Sequence, residues 1–433
     1  MTESFLTTGF NRRTYYIVSY RRGPFTSWGC QTRMRVLKRI GASLLAFLPL
    51  ATQASFIETS MGTAVVNDVT ASYFNPAALV LIKNSQIIPQ ITLASFRTQF
   101  NGQSTLIGSI TETGRSSTNT RYYSPSLYLG TPVNDRLILG LAIVTNSANR
   151  NVDEDSLLRY VQSNNNIQDY DVVPAMALKL NTFFSLGIGL NFSYANFDVQ
   201  PILGFPGSNI ADSQSHNQSD GRGVGGNIGF LLKLSPTTVL GFNYRSLTTY
   251  RLSGKSTYQG SPSLTSNSYH FKFWTPARSV ISVNHALTSK LGIIGTLQYF
   301  QWNALTNIHV YNIATVAGSM PVVVNGVIPY YLHNTWFFTV GSHYRMKPQW
   351  ILRIAACYNQ SPGNPHYQIA NGDSIILGLS SGYDFNKTMT MDVGYAHAFI
   401  KNQNIDINGN RYSINGVNNG ARDAVSLRLL FNV

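Results

Sequence analysis

The chain contains a long series of segments in which large apolar residues alternate with small or polar ones. In Phe184–Tyr194 every second residue is large and apolar, and the residues between them are Ser, Gly or Asn. Ile375–Phe385 shows the same period of two. Because successive side chains of a strand point to opposite faces, this pattern predicts β-strands with one apolar face.

Two kinds of connection alternate between these segments from Gln86 onward. Six are short, at 131–135, 181–182, 235–238, 288–290, 347–349 and 386–387. Seven are longer and polar, near 101–120, 148–171, 200–222, 253–270, 303–334, 359–373 and 402–420. Thirteen connections join fourteen strands, and alternation of short turns with long loops is typical of outer-membrane barrels. We therefore predict an all-β, antiparallel transmembrane β-barrel of about fourteen strands over residues 85–433.

Composition agrees with a membrane barrel. Charged residues make up only 12% of the chain, about half the fraction usual in soluble domains. After residue 55 there is no apolar run of about 18 residues, the length that a spanning helix needs. A large soluble all-β protein is the alternative, in which the apolar face would point inward. The last strand favours the barrel: Val425–Val433 is amphipathic to its end, as a closing strand requires, since no edge is left unpaired in lipid.

The net charge of +14 is concentrated at the front of the chain. Residues 1–54 hold 8 Lys and Arg and one acid, which leaves 24 basic and 17 acidic residues, or +7, in the remainder. No basic helix or nucleic-acid motif accompanies this charge, so we expect no nucleic-acid partner. Of the two cysteines, Cys30 and Cys357, only the second follows residue 54. It provides neither a disulfide nor a metal site, and we expect no cofactor.

Residues 34–54 have the layout of a secretory signal peptide. Arg35, Lys38 and Arg39 form a positive region, and an apolar run of suitable length follows it. Small residues around Gln53 predict cleavage after Ala54; the alternative is an amphipathic N-terminal anchor. Residues 1–33 fit no signal pattern, and we interpret them as an extension that precedes a true translation start at Met34.

The stretch Gly62–Leu79 is too polar and too rich in Gly, Ala and Asn to be a barrel strand. Pro76 fixes φ and has no N–H to donate, so it suits a first helical turn that Asn75 caps and Ala77 continues. A plain connecting turn is the alternative. In the connection after the third strand, Val152–Gln162 predicts a helix whose apolar face is Leu157, Leu158 and Val161. This face is either a packing surface on the barrel rim or a landing site for a hydrophobic ligand.

Two apparent catalytic motifs lie in the wrong context. Gly378–Gly382 matches G-x-S-x-G inside an alternating strand, and Gly221–Gly226 matches G-x-G-x-x-G with a strand after it instead of a helix. Six polar residues fall on the predicted lumen face, where we expect them to form ionic and hydrogen-bonded contacts: His343, Arg345, Arg353, Asp384, Asp392 and Arg428. The enzymatic alternative pairs Asp392 with His343 or His397, without a nucleophile or metal set, so we predict no enzyme.

The order of these features resembles the long-chain fatty acid transporter (FadL) family of outer-membrane proteins. The stretches that carry the resemblance are Gly62–Leu79 with its Asn-Pro-Ala, Val173–Leu180 followed by Ser185–Leu190, Gly223–Gly254, Trp274–Ala277 and Leu297–Trp302. One departure concerns the third strand, which ends at Val144–Ala148 without the Pro-Phe-Gly usual in relatives.

The resemblance implies a barrel whose lumen is closed by an N-terminal hatch at 55–84. Phe56 would serve as its apolar plug, and Asn75, Pro76 and Ala77 would shape it. It further implies passive uptake of long-chain fatty acids or other hydrophobic compounds across the outer membrane of a Gram-negative bacterium, with hatch movement linked to ligand binding. The implied partners are outer-membrane lipid, the hydrophobic ligand and the barrel assembly machinery. The alternatives are a general diffusion porin and a surface adhesion barrel.

Overall fold

The computed structural model describes residues 56–106, 110–150, 157–159, 164–203, 213–317, 320–408 and 412–433. The predicted extension and signal peptide lie outside these residues and stay predictions. Six strands come first: β1 Gln86–Leu106, β2 Ile110–Pro132, β3 Leu137–Arg150, β4 Asn164–Lys179, β5 Phe184–Gln200 and β6 Ser213–Ser235. A two-residue strand, Ile202–Leu203, pairs with the start of β6.

The next four strands are each built from two consecutive pieces. These are β7 (Thr238–Arg245 and Thr248–Tyr258), β8 (Leu264–Thr275 and Ala277–Ala286), β9 (Leu291–Gln301 and Asn307–Ala317) and β10 (Met320–Pro329 and Thr335–Lys347). A 3-10 turn, Trp302–Ala304, interrupts β9. Four unbroken strands complete the set: β11 Trp350–Asn359, β12 Ser374–Asp384, β13 Met389–Asn408 and β14 Tyr412–Asn432.

Neighbouring strands pair antiparallel in chain order, and the sheet closes on itself. Gln86 of β1 pairs with Gly130 of β2 on one side and with Asn432 of β14 on the other. This confirms the predicted fourteen-stranded barrel and the closing role of the C-terminal strand. Closure is the physical requirement of a sheet in lipid, because it leaves no row of unpaired N–H and C=O groups.

The two faces of the wall follow the alternation in the sequence. In β5, Ile188, Leu190 and Phe192 are 48%, 56% and 48% exposed, whereas the alternate residues Asn191 and Ser193 are buried. The large apolar residues thus form the outer surface, and the small and polar residues point into the lumen. The soluble alternative, with its apolar face inward, is thereby excluded.

The structure differs from the sequence-based prediction in the long connections. Much of what we predicted as loop is paired strand: β1 and β2 pair out to Leu106 and Ile110, and β13 and β14 pair, with one register shift, out to Asn408 and Ser413. Thr and Ser are frequent there, and such residues form strands as readily as apolar ones when both faces meet water. Polarity marked the end of the lipid-facing band and not the end of the strand.

Residues 56–82, which we call the N-terminal segment, precede the barrel as four short helical pieces. They are α1 (Phe56–Met61), a 3-10 turn (Thr63–Val65), α2 (Ala71–Phe74) and a second 3-10 helix (Pro76–Leu81). Across the part of the chain that the structure describes, no helix is long and apolar enough to cross a membrane.

Candidate functional site

The N-terminal segment lies in the lumen and touches the wall on many sides. It approaches most closely where the inward residue is glycine. A Cβ on Gly187 of β5 would overlap the backbone of Ala77, and one on Gly241 of β7 would overlap the carbonyl of Ala64. On the opposite wall, a Cβ on Gly378 of β12 would meet the ring of Phe56. Glycine is the one residue that allows two backbones to come this close.

Asn75 both caps the second 3-10 helix and fastens it to its surroundings. Its side-chain oxygen accepts a hydrogen bond from the N–H of Ala77 at 3.2 Å, with Pro76 in the first turn. The predicted turn that opens a short helical piece is thus confirmed. The amide nitrogen of Asn75 donates to the carbonyls of Ala64 at 2.7 Å and Phe230 of β6 at 3.2 Å. One side chain therefore joins two parts of the segment to the wall.

A buried ion cluster joins the other half of the segment to the wall. Arg428 of β14 lies 3.3 Å from Glu58 and 2.9 Å from Asp68, both in the segment, and its Nε donates to Asp392 of β13 at 3.0 Å. Arg353 of β11 donates to the other oxygen of Asp392 at 2.8 Å. Three carboxylates thus contact two guanidinium groups in surroundings that are nearly free of water. Removing one member of such a cluster leaves an uncompensated buried charge.

Further polar contacts hold α1, the 3-10 turn after it and α2. Ser60 and Ser380 of β12 share a hydrogen bond at 2.9 Å, and the N–H of Ala64 donates to Ser282 of β8 at 2.9 Å. Tyr73 of α2 donates to Asp171 of β4 at 3.3 Å. Burial raises the pKa of Tyr73 to about 12, so its phenol keeps its proton and remains a donor.

A cavity of about 50 Å³, open on one side, lies between α1 and the wall. Phe56 and Thr59 line it from the segment, and most of the remaining lining is apolar or small: Thr92, Phe337, Cys357, Ile376, Ala396, Ala398, Arg422 and Ala424. Arg422 supplies the one charge in this lining. The apolar character of this lining is that of a small-molecule site.

The wall itself is incompletely paired between β2 and β3. Among the described residues, pairs between these strands run only from Pro132–Ile138 to Ser126–Val144. Beyond them β2 pairs with β1, and β3 pairs with β4. Thr92, which lines the cavity, is the register partner of Ser124 at the edge of this gap. The cavity and the gap are therefore separated by the width of β2.

Residues 55–427 match the family described as outer membrane protein transport protein (OMPP1/FadL/TodX). The chain belongs to this family. The match covers the barrel and the N-terminal segment alike, so it agrees with the resemblance inferred from sequence. Together with the closed barrel, it places the protein in the outer membrane of a Gram-negative bacterium. The family is one of transport proteins and not of enzymes.

Individual relatives are distant in sequence and close in fold. Outer membrane protein P1 of Haemophilus influenzae is 22% identical over 382 residues, which are 77% of this chain and 81% of that protein. A Pseudomonas aeruginosa FadL homologue superposes with a TM-score of 0.74 at 18% identity, over 92% of this chain and 99% of the other. The Pseudomonas putida toluene transporter TodX gives 0.65 at 14% identity, over 87% and 97%.

The six polar residues predicted for the lumen separate into two groups in this member of the family. Arg353, Asp392 and Arg428 belong to the buried ion cluster. The other three point inward near the short turns, where Arg345 lies 4.0 Å from Asp384 with both side chains more than two-fifths exposed. His343 lies in the same region, opposite Arg353, which is its register partner on β11. What these residues do in transport stays a prediction.

The predicted loop helix is described only in part. Residues 157–159 form a turn, and Leu157 and Leu158 are buried in an apolar cluster with Phe100, Ile369, Ala370, Ile405, Ile407 and Ile414. Arg159 donates to both carboxylate oxygens of Glu112 at 2.9 and 3.0 Å. Val161 and the remainder of the predicted helix lie outside the described residues. Two of the three predicted apolar residues thus pack among the long connections.

Sequence reasoning missed several polar residues of the site. Glu58 and Asp68 were not singled out, although they are the acids that the segment brings to Arg428. Arg245 and Arg278, on β7 and β8, are 8% and 6% exposed inside the barrel. Two sequence signals could have identified these residues: an arginine or acid at an inward position of a strand, and an acid close to the Asn-Pro-Ala turn. Neither signal shows which of these groups contact one another.

Proposed function

We propose that this protein is a passive channel for hydrophobic compounds across the outer membrane, with the N-terminal segment acting as a hatch that closes the lumen. The cavity beside Phe56 carries this proposal. An apolar pocket inside the barrel stabilises a hydrophobic molecule by removing its surface from water, which neither bulk water nor a water-filled pore can do. Relatives of the same fold include a monoaromatic hydrocarbon channel and a toluene transporter of Pseudomonas putida.

The affinity required is modest. Burying one large apolar side chain is worth about 1.5–3 kcal/mol, so a few such contacts support binding in the micromolar range. The apolar cluster around Leu157 and Leu158, among the long connections, supports a first landing site on the outer side. Both sites act by burial alone, and the channel needs no catalysis.

Ligand-linked movement of the hatch completes the path. A ligand in the cavity touches Phe56 and Thr59, so it favours arrangements of α1 that improve these contacts. The gap between β2 and β3 supports a sideways exit into outer-membrane lipid, because its edge lies one strand away from the cavity. Insertion of the barrel requires the barrel assembly machinery as a further partner.

A general diffusion porin is the competing function, and the buried ion cluster argues against it. An open pore would leave the lumen polar and hydrated, whereas here Glu58, Asp68 and Arg428 are each at most 3% exposed. A buried ion cluster close to an apolar cavity supports selective uptake over open diffusion.

Filling the cavity tests the proposal. We expect Ala396→Phe to lower the affinity for a fluorescent long-chain fatty acid at least tenfold, because its ring occupies the space that the ligand needs. Val393→Phe is the matched control, since Val393 lies on the same strand and faces outward with 41% exposure. Binding would be measured by fluorescence titration in mild detergent, with toluene as competitor. Equal affinity of the two variants would place the ligand elsewhere, and a wild-type protein that binds neither compound would refute the proposed function.

A further inference from the structure

Three cations stand in one row on the outer face of the barrel, on three neighbouring strands. Arg222 of β6 is the register partner of Arg251 of β7, which is in turn the register partner of Lys272 of β8. All three are exposed, whereas the residues beside them, such as Leu252 and Phe273, are buried in the lumen. We call the three residues the outer cationic row. Directly opposite residues of an antiparallel pair have Cβ atoms about 5 Å apart, so three positive charges are held close together.

The chain does not balance the charge of the outer cationic row. Within the described parts of the chain, no acid lies at ion-pair distance from any of its three members. The acid of β6 on the same face, Asp220, stands opposite Ser253 of β7 instead. Elsewhere on the outer face, Arg97 of β1 does have a partner, 3.3 Å away in Asp423 of β14. Like charges directly opposite each other destabilise a sheet, so the outer cationic row indicates an anion that comes from outside the chain.

The outer cationic row lies at one border of the lipid-facing band. On β6 the outward residues Val224, Ile228 and Leu234 are apolar and exposed. The stretch from Val224 to Leu234 has about the length of 9–11 residues that crosses a bilayer as a tilted strand. Leu234 lies beside the short turn 235–238, so Arg222 lies at the opposite border, on the side of the long connections. In outer-membrane barrels that side is extracellular, which places the row in the outer leaflet.

Aromatic side chains flank the outer cationic row on both sides. Tyr194 of β5 is the register partner of Arg222, and its ring centroid lies 6.3 Å from that of Tyr170 on β4. On the other side, His270 of β8 stacks on Tyr311 of β9 with ring centroids 4.9 Å apart. Tyrosine is enriched at the level of lipid headgroups, where its ring meets acyl chains and its hydroxyl meets water. The three cations therefore stand at the level of the headgroup phosphates.

We propose that the outer cationic row binds the phosphate groups of a phosphorylated glycolipid of the outer leaflet, whose acyl chains lie against the apolar wall next to it. Lipid A, which anchors lipopolysaccharide, has this chemistry. The arginine forks match phosphate oxygens in paired charge-assisted hydrogen bonds, and the lysine adds a point charge. The lipid thereby supplies the missing counter-charge and covers exposed apolar residues such as Val224. This inference concerns the outer wall and does not depend on what the lumen transports.

Binding of two anionic lipids to the purified protein tests this proposal. Native mass spectrometry in non-ionic detergent would give the dissociation constants of diphosphoryl lipid A and of phosphatidylglycerol. We expect the wild type to prefer lipid A, because one phosphate cannot engage all three cations. The combination of Arg222→Gln, Arg251→Gln and Lys272→Gln should weaken lipid A binding about tenfold or more, since each cation near an anionic headgroup contributes about fivefold. Binding of phosphatidylglycerol should change by less than about threefold.

The matched control combines Lys290→Gln, Lys347→Gln and Lys387→Gln, which removes the same charge from exposed positions at the short turns. Each variant is first checked for the heat-dependent gel mobility of a folded barrel. If the test variant fails this check, Arg251→Gln alone is measured against Lys347→Gln, with an expected loss of about fivefold.

Three results would overturn the lipid site. Equal weakening in the test and control variants would show a general effect of charge. Equal binding of lipid A and phosphatidylglycerol by the wild type would show that the row does not select the phosphorylated glycolipid. Displacement of lipid A by millimolar inorganic phosphate would show a site for the free anion.

Discussion

Single residues decide how closely the N-terminal segment fits the barrel. Glycines at inward positions admit the backbone of the segment, and Asn75 ties its two halves together through the carbonyl of Ala64. Arg428 is the central cation of the ion cluster, because it contacts the carboxylates of Glu58, Asp68 and Asp392. A change at this arginine therefore acts on the segment and on the wall together.

Arg428→Met tests this at the residue scale. The change leaves three buried carboxylates with Arg353 alone, and breaking a buried ion cluster in this way costs about 3–5 kcal/mol. We expect the segment to detach in part and single-channel conductance in a planar bilayer to rise well above the wild-type leak.

The control for this change is Arg345→Met. Its partner Asp384 is 4.0 Å away and both side chains are more than two-fifths exposed, so its loss is worth at most about 1 kcal/mol. Its conductance should match that of the wild type. Equal conductance of Arg428→Met and the wild type would show that the ion cluster does not hold the lumen closed.

At the scale of elements, α1 is the piece whose movement the proposed mechanism requires. It carries Phe56 and Thr59 of the cavity and Glu58 of the ion cluster, and Ser60 contacts Ser380 on β12. The second 3-10 helix is held differently, through Asn75 and by close contact with Gly187. Ligand binding is therefore expected to displace α1 while the second 3-10 helix stays in place.

A disulfide between α1 and the wall tests that movement. The hydroxyl oxygens of Ser60 and Ser380 are 2.9 Å apart, so Ser60→Cys with Ser380→Cys brings two thiols within bonding reach. We expect oxidation to block uptake of a fluorescent fatty acid into whole cells and reduction to restore it. Each single variant serves as the control. Undiminished uptake by the oxidised double variant would show that α1 stays in place during transport.

The whole molecule combines a barrel that closes by itself with a segment that is packed into it. Every strand finds both neighbours without help from the segment, because β1 pairs directly with β14. The segment should therefore be removable in part without loss of the barrel, and we expect its loss to open the lumen.

Deletion of Phe56–Asp68 tests this separation. The variant should keep the heat-dependent mobility of a folded barrel and conduct ions steadily, since α1 and two acids of the ion cluster are gone. Conductance would be recorded beside the wild type in the same bilayer. A deletion variant that conducts no more than the wild type would argue against a plug. A variant that fails to fold would show that the barrel needs the segment in order to fold.

The sequence alone predicted the strand number, the closing C-terminal strand and the outward apolar face. These depend on a period of two and on local turns, and neighbouring residues report them directly. It also predicted the Asn75 cap, which forms within three residues. The extent of the strands beyond the lipid was wrong, because polarity shows where water begins and not where backbone pairing ends.

The contacts of the site depended on tertiary structure. Glu58 and Arg428 are 370 positions apart, and no local pattern says that the closure of the barrel brings them together. Arg245 and Arg278 meet only because the register of two strands sets them opposite each other. Periodicity fixes which face of the sheet a residue takes. Register and barrel closure fix which residue stands beside it, and the cavity and the ion cluster both depend on register and closure.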